Sequence, residues 1–457
     1  MTLAPADWAV VSAYVILLTI LGFLTIRKQA SADSFLLAGR SVTLPGFVVT
    51  LVTTWYGGIL GVGEYSYLNG ISAWVALGLP YYFFALIFAF WLAPRIHKSR
   101  LTSIPDQMEQ AYGRLSGIIS AVFTFFMVTP APYALMSGVL ISLVLPIPFW
   151  MSVLISLVLS TFFVGFGGYR SLVVTDFLQF AMMYAGFAAI LFVAFFSVGG
   201  TDFLLTNLPS GHLDFVPEGS GWTLLIWFFI ASMTLADPGF YQRCYSATSP
   251  VVARRGILIS IGFWFIFDVM TVLTGLYARA LSDQVSPPSH AYPFLGEQLL
   301  PPVLKGLFFT GMLATVWSTL NGFSFLAAQS IGRDFMGRLI PSTDREVSRT
   351  RWALLLVTGL AFWLSVWSET VVGIWFTLGS VVLPGLLIPL LCIHAGFVVN
   401  HPGKVWLVQL VSVLIAACWT WLFPSIPGWN PEWTGLAFYP GVVTAAGGMM
   451  VLRLKRT

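Results

Sequence analysis

Two adjacent hydroxyl side chains lie within a long apolar stretch of this sequence. Ser318 and Thr319 follow Thr315 by about one helical turn in the run 303–335. Small hard cations bind oxygen ligands, and paired hydroxyls beside a helix carbonyl can supply them. The same hydroxyls could instead donate to carbonyls of their own helix. The pair therefore marks a candidate cation site, with hydrogen bonding inside the helix as the alternative.

Three carboxylates also fall inside apolar segments, where ionisable groups are costly and often functional. Asp176 and Gln179 share one face near the end expected to be cytoplasmic, which suits ion release, an inner gate, or local pairing. For Asp268, in mid-segment, a hydrogen bond between helices is the favoured interpretation. Glu64 lies about 13 Å beyond Trp55 toward the outside. It could attract a cationic solute, carry a proton, or occupy a hydrated vestibule.

Two apolar segments contain residues that interrupt a helix. The stretch 53–63 holds four glycines and two threonines, which favours an unwound hinge, with close packing of small residues as the alternative. The second interruption is Asp237-Pro238-Gly239, where proline removes an amide donor. Broken helices expose backbone carbonyls and amides at membrane depth, where ions and solutes can bind them.

These groups are set in a very apolar chain. Of 457 residues, 58% are hydrophobic and 9% are charged. A soluble domain carries about 25% charged residues, so a soluble globular surface is excluded. We expect a single all-α polytopic membrane domain over residues 1–457, with thirteen transmembrane helices. The expected spans are 7–26, 44–69, 72–94, 113–144, 147–166, 172–198, 222–246, 256–281, 303–335, 350–367, 371–395, 403–423 and 434–452.

The two interrupted segments each begin a block of five expected helices. The blocks are 44–198 and 222–395, and because five is odd they have opposite orientations in the membrane. Interrupted helices at matching positions of inverted repeats indicate a transport site. The expected fold is therefore a 5+5 inverted-repeat core, with one peripheral helix (7–26) before it and two (403–423 and 434–452) after it.

Basic residues set the expected orientation, because cytoplasmic loops carry an excess of Lys and Arg. With the N-terminus outside, twenty of the 22 basic residues lie on the cytoplasmic side, and Arg279 and Lys305 lie opposite. The C-terminus is then cytoplasmic. We expect a multi-pass protein of the plasma (inner) membrane.

Three stretches in order resemble motifs of the sodium:solute symporter family, whose members have the inverted-repeat fold of the bacterial leucine transporter. They are GGYR at 167–170 with TDFLQ at 175–179, DPGFYQR at 237–243, and MLATVWSTLN at 312–321. The resemblance covers almost the whole chain. It implies solute uptake coupled to sodium, with sodium as the only metal.

The resemblance also implies where sodium binds. In the family the cation lies between the first broken core helix and the eighth core helix. Some members hold a second sodium through further hydroxyls and the aspartate that matches Asp176. Asn321 and Gly322 occupy those hydroxyl positions here, so one sodium per solute is expected. The matching ligands of the first ion are the carbonyls of Leu51, Thr54 and Thr315 and the hydroxyls of Ser318 and Thr319.

A small polar solute is expected to bind where the interrupted and kinked helices meet. Some of these residues could serve only in packing, because 16% of the chain is aromatic. The solute cannot be read from the sequence, since the family transports sugars, amino acids, carboxylates, vitamins and inorganic anions. The expected cavity lining is Trp55, Tyr56, Gly57, Gly58, Met233, Thr234, Trp375 and Ser380, and the coupling or gating residues are Asp176, Gln179, Asp237 and Glu64.

Other functions remain as alternatives. A proton-coupled symporter of the same fold would use Glu64. A transporter-like sensor module is disfavoured, because the sequence ends shortly after its last expected helix. An intramembrane enzyme is disfavoured, since no catalytic cluster converges at one membrane face. The expected partners are a small-molecule solute and the lipid bilayer, with no nucleic acid and no obligate protein partner.

Overall fold

The structure is a computed structural model that describes residues 1–25, 31–341, 345–367, 371–426, 436–452 and 454–456. Most of them are helical, as predicted for an all-α protein. The helices of the first part are α1 (Pro5–Thr25), α2 (Ala32–Leu37), α3 (Leu44–Trp55), α4 (Ile59–Asn69), α5 (Ser72–Leu77), α6 (Leu79–Ile87), α7 (Ala93–Ser99), α8 (Ile104–Tyr112), α9 (Arg114–Met127), α10 (Ala131–Ser142), α11 (Phe149–Val198) and α12 (Gly200–Asn207).

The second part of the chain contains the remaining helices and two short strands. Two short strands, β1 (Phe397–Val399) and β2 (Leu454–Arg456), pair antiparallel near the C-terminus. The remaining helices are α13 (Gly221–Ile230), α14 (Pro238–Ser246), α15 (Pro250–Leu281), α16 (Ala291–Leu299), α17 (Leu304–Gln329), α18 (Met336–Leu339), α19 (Glu346–Trp367), α20 (Val371–His394), α21 (Val405–Trp421) and α22 (Phe438–Val451).

Nine helical segments of the described ranges are long and apolar enough to cross a membrane. The longest, α11, has 50 residues and bends at Gly168, whose φ of 56° favours glycine. A straight helix of that length would extend about 75 Å, more than twice the hydrocarbon core of about 30 Å. The bend therefore divides α11 into two spans. The count of thirteen spans and the two five-helix blocks stay predictions.

Both predicted helix interruptions are confirmed. A single 3-10 turn, Tyr56–Gly58, separates α3 from α4, and we call this turn the hinge. In the second broken helix, a 3-10 segment (Ala231–Ala236) follows α13, and Asp237 then adopts an extended backbone with ψ 117° before α14 begins. Proline at 238 explains this restart, since it cannot donate a backbone hydrogen bond and is tolerated at the first helical position.

Helix α17 forms the centre of the packing. It contacts α1, α3, α10, α11 and α19, and it is buried along most of its length. Large apolar side chains instead point outward on peripheral faces, for example Phe196 and Trp352, which are 70% and 71% exposed. Such an apolar exterior suits contact with lipid rather than water.

An ion-pair cluster joins α8 to the region after α17. Arg338 binds Asp106 at 2.7 Å and Glu109 at 2.6 Å, and Arg333 binds Asp106 at 2.9 Å. Burial alone would raise the pKa of Asp106, but the two guanidinium groups together hold it below its ordinary value. The cluster fixes the segment between the spans Ser72–Ser99 and Arg114–Ser142 against the residues that follow α17.

Candidate functional site

The hydroxyl of Thr319 lies at the contact between α17 and the hinge. This hydroxyl is within donating distance of the Thr315 carbonyl oxygen at 3.0 Å, which is the bond inside its own helix that the sequence left as an alternative. The same Oγ1 is 3.1 Å from the Thr54 carbonyl oxygen. The Thr53 carbonyl oxygen is 3.5 Å away. Thr319 is fully buried. One hydroxyl and three carbonyl oxygens therefore converge beside the broken helix, and this brings together three of the five predicted sodium ligands.

Ser318 points to a different partner. Its hydroxyl donates to Asp176 Oδ1 at 2.9 Å, from α17 to α11. The Gln179 amide, oriented to satisfy its neighbours, donates to the same carboxylate oxygen at 2.9 Å and accepts from the Ser318 backbone N–H at 3.3 Å. Asp176 and Gln179 were predicted to act in gating; the structure adds that both contact a predicted sodium ligand. Leu51 lies one turn before Thr54 on α3.

A cavity of about 230 Å³ adjoins these oxygens at the two helix breaks. Leu51 and Thr54 border both the cavity and the predicted ion site. A cavity of this size suits a small solute, being near the lower end of ligand pockets. Of the residues predicted to contact solute or to act in gating, the cavity is lined by Trp55, Tyr56, Gly58, Met233, Ser380 and Asp237.

Three other predicted residues of the solute and gating set lie outside the cavity lining. Gly57 faces the Thr319 side chain, and Thr234 is fully buried away from the cavity wall. Glu64 is half-buried on α4 and is outside the lining set. The side chain of Trp375 lies outside the described residues. A cavity therefore lies at the two helix breaks, and binding of solute in it stays a prediction. The direction of each side chain was not readable from position alone.

Two charged residues of the cavity wall were absent from the predicted site. Asp268 on α15 is held by the hydroxyls of Tyr56 and Tyr82. Arg243 on α14 is buried, and its guanidinium donates to the carbonyl of Thr50 at 2.8 Å. For Asp268 the available signal was its position in the middle of an apolar segment, where a carboxylate is often functional. For Arg243 the available signals were a charge near a helix end and its place in the DPGFYQR stretch.

Asp176→Asn should slow transport more than it weakens solute binding at equilibrium. The substitution keeps the size of the side chain but removes the charged acceptor of the Ser318 hydroxyl, and hydrogen bonds to charged groups contribute about 1.5–3 kcal/mol. We expect an initial uptake rate lowered about tenfold or more. Uptake into proteoliposomes and radioligand binding measure the two quantities. The exposed Asp202→Asn is the matched control, and unchanged rate and binding in Asp176→Asn would leave Asp176 with a structural role only.

Comparison with known proteins identifies relatives of this chain. The family model described as "Sodium:solute symporter family" matches residues 35–423. The chain is 25% identical over 409 residues to the high-affinity proline transporter PutP of Bacillus subtilis (strain 168), covering 81% of the chain and 84% of that protein. It is also 25% identical over 364 residues to the human sodium-coupled monocarboxylate transporter 1, covering 72% of the chain and 58% of that protein. These relatives are transporters, not enzymes.

The fold is shared with a solved structure. A Na⁺-coupled sialic acid symporter in a substrate-bound outward-open state superposes with a TM-score of 0.81 at 14% identity, over 99% of this chain and 100% of that one. The family match covers far more than half of the chain, and it confirms the resemblance found in the three motifs. The chain belongs to the sodium:solute symporter family.

Proposed function

We propose that this chain imports a small polar solute together with sodium by alternating access, one sodium per solute. The observation that carries the proposal is the position of Thr319 Oγ1, 3.1 Å from the Thr54 carbonyl of the broken helix and 3.0 Å from the Thr315 carbonyl. Relatives named as sodium-coupled transporters support the same coupling ion. The proposed orientation is an external N-terminus and a cytoplasmic C-terminus in the plasma membrane.

The proposed ligand set suits a monovalent cation. The carbonyls of Leu51, Thr54 and Thr315 and the hydroxyls of Ser318 and Thr319 are uncharged oxygens, whereas calcium and magnesium sites in proteins draw on carboxylates. The nearest carboxylate, Asp176, reaches this set through its hydrogen bond with Ser318. A single negative charge beside five neutral oxygens can balance one sodium ion.

Coupling between ion and solute follows from shared residues. Leu51 and Thr54 belong to the proposed ion ligands and also line the cavity. A bound ion that fixes the end of α3 therefore also fixes part of the solute site. By thermodynamic linkage, the factor by which bound sodium raises the affinity for solute equals the factor by which bound solute raises the affinity for sodium.

Sodium, but not potassium or choline, should raise the thermal unfolding temperature of the purified protein. A ligand that binds only the folded state stabilises it by mass action. Ser318→Ala and Thr319→Ala should each raise the half-maximal sodium concentration about tenfold or more, and the double variant should be worse than either. Sodium-dependent uptake should have a Hill coefficient of about 1 for a single ion.

Ser324→Ala is the control, because this buried hydroxyl lies on the same helix and pairs with Ser160 instead. Equal stabilisation by sodium and potassium, or unaltered sodium affinity in the double variant, would contradict the proposed ion site. A Hill coefficient near two would contradict the stoichiometry. Sodium-independent uptake that Glu64→Gln abolishes would replace sodium with a proton as the coupling ion.

A further inference from the structure

The cavity wall contains a carboxylate whose charge is not matched. Asp268 on α15 lines the cavity and is 8% exposed. The Tyr56 hydroxyl donates to its Oδ1 at 2.9 Å, and the Tyr82 hydroxyl donates to its Oδ2. These donors are neutral. Among the described residues, no lysine, arginine or histidine forms an ion pair with Asp268.

The other charges of the cavity wall are occupied locally. Asp237 caps α14, since its Oδ1 accepts from the Phe240 backbone N–H at 2.9 Å. Arg243 donates to the carbonyls of Thr50 and Gly239 and lies close enough to Asp237 for their charges to interact. When Asp268 is ionised, the cavity wall therefore has one negative charge in excess. A buried carboxylate without a counter-charge is costly unless it takes up a proton or a ligand supplies the positive charge.

The walls around this carboxylate are aromatic. The Trp55 ring contacts Tyr81 at a centroid distance of 5.1 Å and Phe240 at 5.8 Å, and all three line the cavity. Trp55 also packs at 5.0 Å on Trp264, one turn before Asp268 on α15. Aromatic faces attract a cationic group electrostatically, and the attraction is stronger when the cation is shielded from water.

We propose that the transported solute carries a positively charged nitrogen, an amine or a quaternary ammonium group, which binds at Asp268 against these aromatic rings. A carboxylate has about four acceptor positions, so capacity remains after the two tyrosine hydroxyls. Tyr56 and Tyr82 are positioning residues that aim the carboxylate. Within the described residues the buried Ser380 hydroxyl has no hydrogen-bond partner, and it offers a polar contact for the rest of the solute.

The arrangement also connects solute recognition to the hinge. Tyr56 is the first residue of the hinge, and its hydroxyl reaches both Asp268 and the Trp264 carbonyl, the latter at 2.7 Å. A cation on Asp268 would therefore act on the broken helix through one hydrogen bond. This inference rests on the proposed function and names the substrate class of the same site.

The test measures binding to purified wild-type protein and Asp268→Asn in sodium, with choline, L-proline and lactate as cationic, zwitterionic and anionic probes. We expect choline or L-proline to bind wild type more tightly than lactate does. Asp268→Asn should weaken binding of the positively charged probe about thirtyfold or more, because a buried charge pair loses one partner. Stabilisation by sodium should persist in the variant.

Tyr82→Phe supplies a second variant, which keeps the carboxylate and should cause a smaller loss of affinity. Tyr277→Phe is its control, since the Tyr277 hydroxyl, on the helix that carries Asp268, donates to the Gly200 carbonyl and Tyr277 does not line the cavity. Unchanged binding in both Asp268→Asn and Tyr82→Phe would overturn the inference. So would tighter binding of lactate than of choline and L-proline by wild type, or binding of none of the three.

Lactate binding that strengthens as pH falls in wild type and becomes independent of pH in Asp268→Asn would overturn the inference differently, by assigning a proton to Asp268. These failures are distinct from failure of the proposed function. That failure would show as wild-type protein with no stabilisation by sodium and no sodium-dependent uptake of any solute.

Discussion

Gly57→Ala should abolish sodium-dependent stabilisation and uptake while the protein still folds. A Cβ atom built on Gly57 would overlap the Cβ, Cγ2 and Oγ1 atoms of Thr319. Rotating the threonine brings no relief, since its own Cβ is among the overlapped atoms. Overpacking of this kind costs about 1–3 kcal/mol. The hinge must then move away from α17, and the Thr54 carbonyl moves with it.

The control for this prediction is Gly262→Ala on α15. That glycine is exposed, and an added Cβ there meets no atom within 4 Å. Thermal unfolding in graded sodium concentrations and uptake into proteoliposomes measure both variants. We expect Gly262→Ala to retain wild-type sodium affinity. If Gly57→Ala retains it as well, close contact between the hinge and α17 is not required for sodium binding, and the proposed ligand set would be wrong.

The helix breaks could be predicted because their causes are local in sequence. Glycine weakens a helix wherever it occurs, and proline removes a donor whatever its neighbours are. The pattern at 53–63 and the Asp237-Pro238-Gly239 tripeptide therefore placed both interruptions correctly. Helical membrane spans are readable for the same reason, since bilayer thickness sets the length of each apolar run.

Contacts between distant segments had no such local signal. The Ser318 hydroxyl and the Asp176 carboxylate are 142 residues apart in sequence, and the Tyr56 hydroxyl and the Asp268 carboxylate are 212 apart. Each of these groups was recognised as unusual by itself. Their pairing depends on which faces of two helices meet, and that is decided by the packing of the whole bundle.

Arg243 was missed as a site residue because the rule for charges near helix ends predicts an exposed side chain. Its position near the end of an apolar segment placed it among the expected cytoplasmic charges, and such charges usually reach water. The structure leaves it 4% exposed. Two of its four acceptors are backbone carbonyls, which no residue type in the sequence identifies, and the other two are threonine hydroxyls on a distant helix. Burial of this guanidinium is thus a tertiary property of the two broken helices.

The guanidinium of Arg243 ties those two helices together. It donates to the Thr50 hydroxyl at 3.1 Å, the Thr50 carbonyl at 2.8 Å and the Thr54 hydroxyl at 2.7 Å, all on α3. On its own helix, α14, it donates to the Gly239 carbonyl at 2.9 Å. Thr54 also supplies the carbonyl that meets Thr319. One side chain therefore fixes the end of α3 that borders the proposed sodium site.

Arg243→Gln should reduce sodium-dependent uptake about hundredfold, because each buried acceptor left unpaired costs about 1–3 kcal/mol. The half-maximal sodium concentration should also rise, since α3 loses its attachment beside Thr54. Arg243→Lys keeps the charge but not the planar fork of donors. Compared with Arg243→Gln, it should recover part of the thermal stability but little of the sodium affinity. Thermal unfolding in graded sodium and proteoliposome uptake separate these effects.

The control is Arg254→Gln, at an exposed position on α15, which should match wild type. If Arg243→Lys instead recovers full sodium affinity, the positive charge alone would be sufficient, and the geometric attachment of α3 to α14 would not be what holds the site.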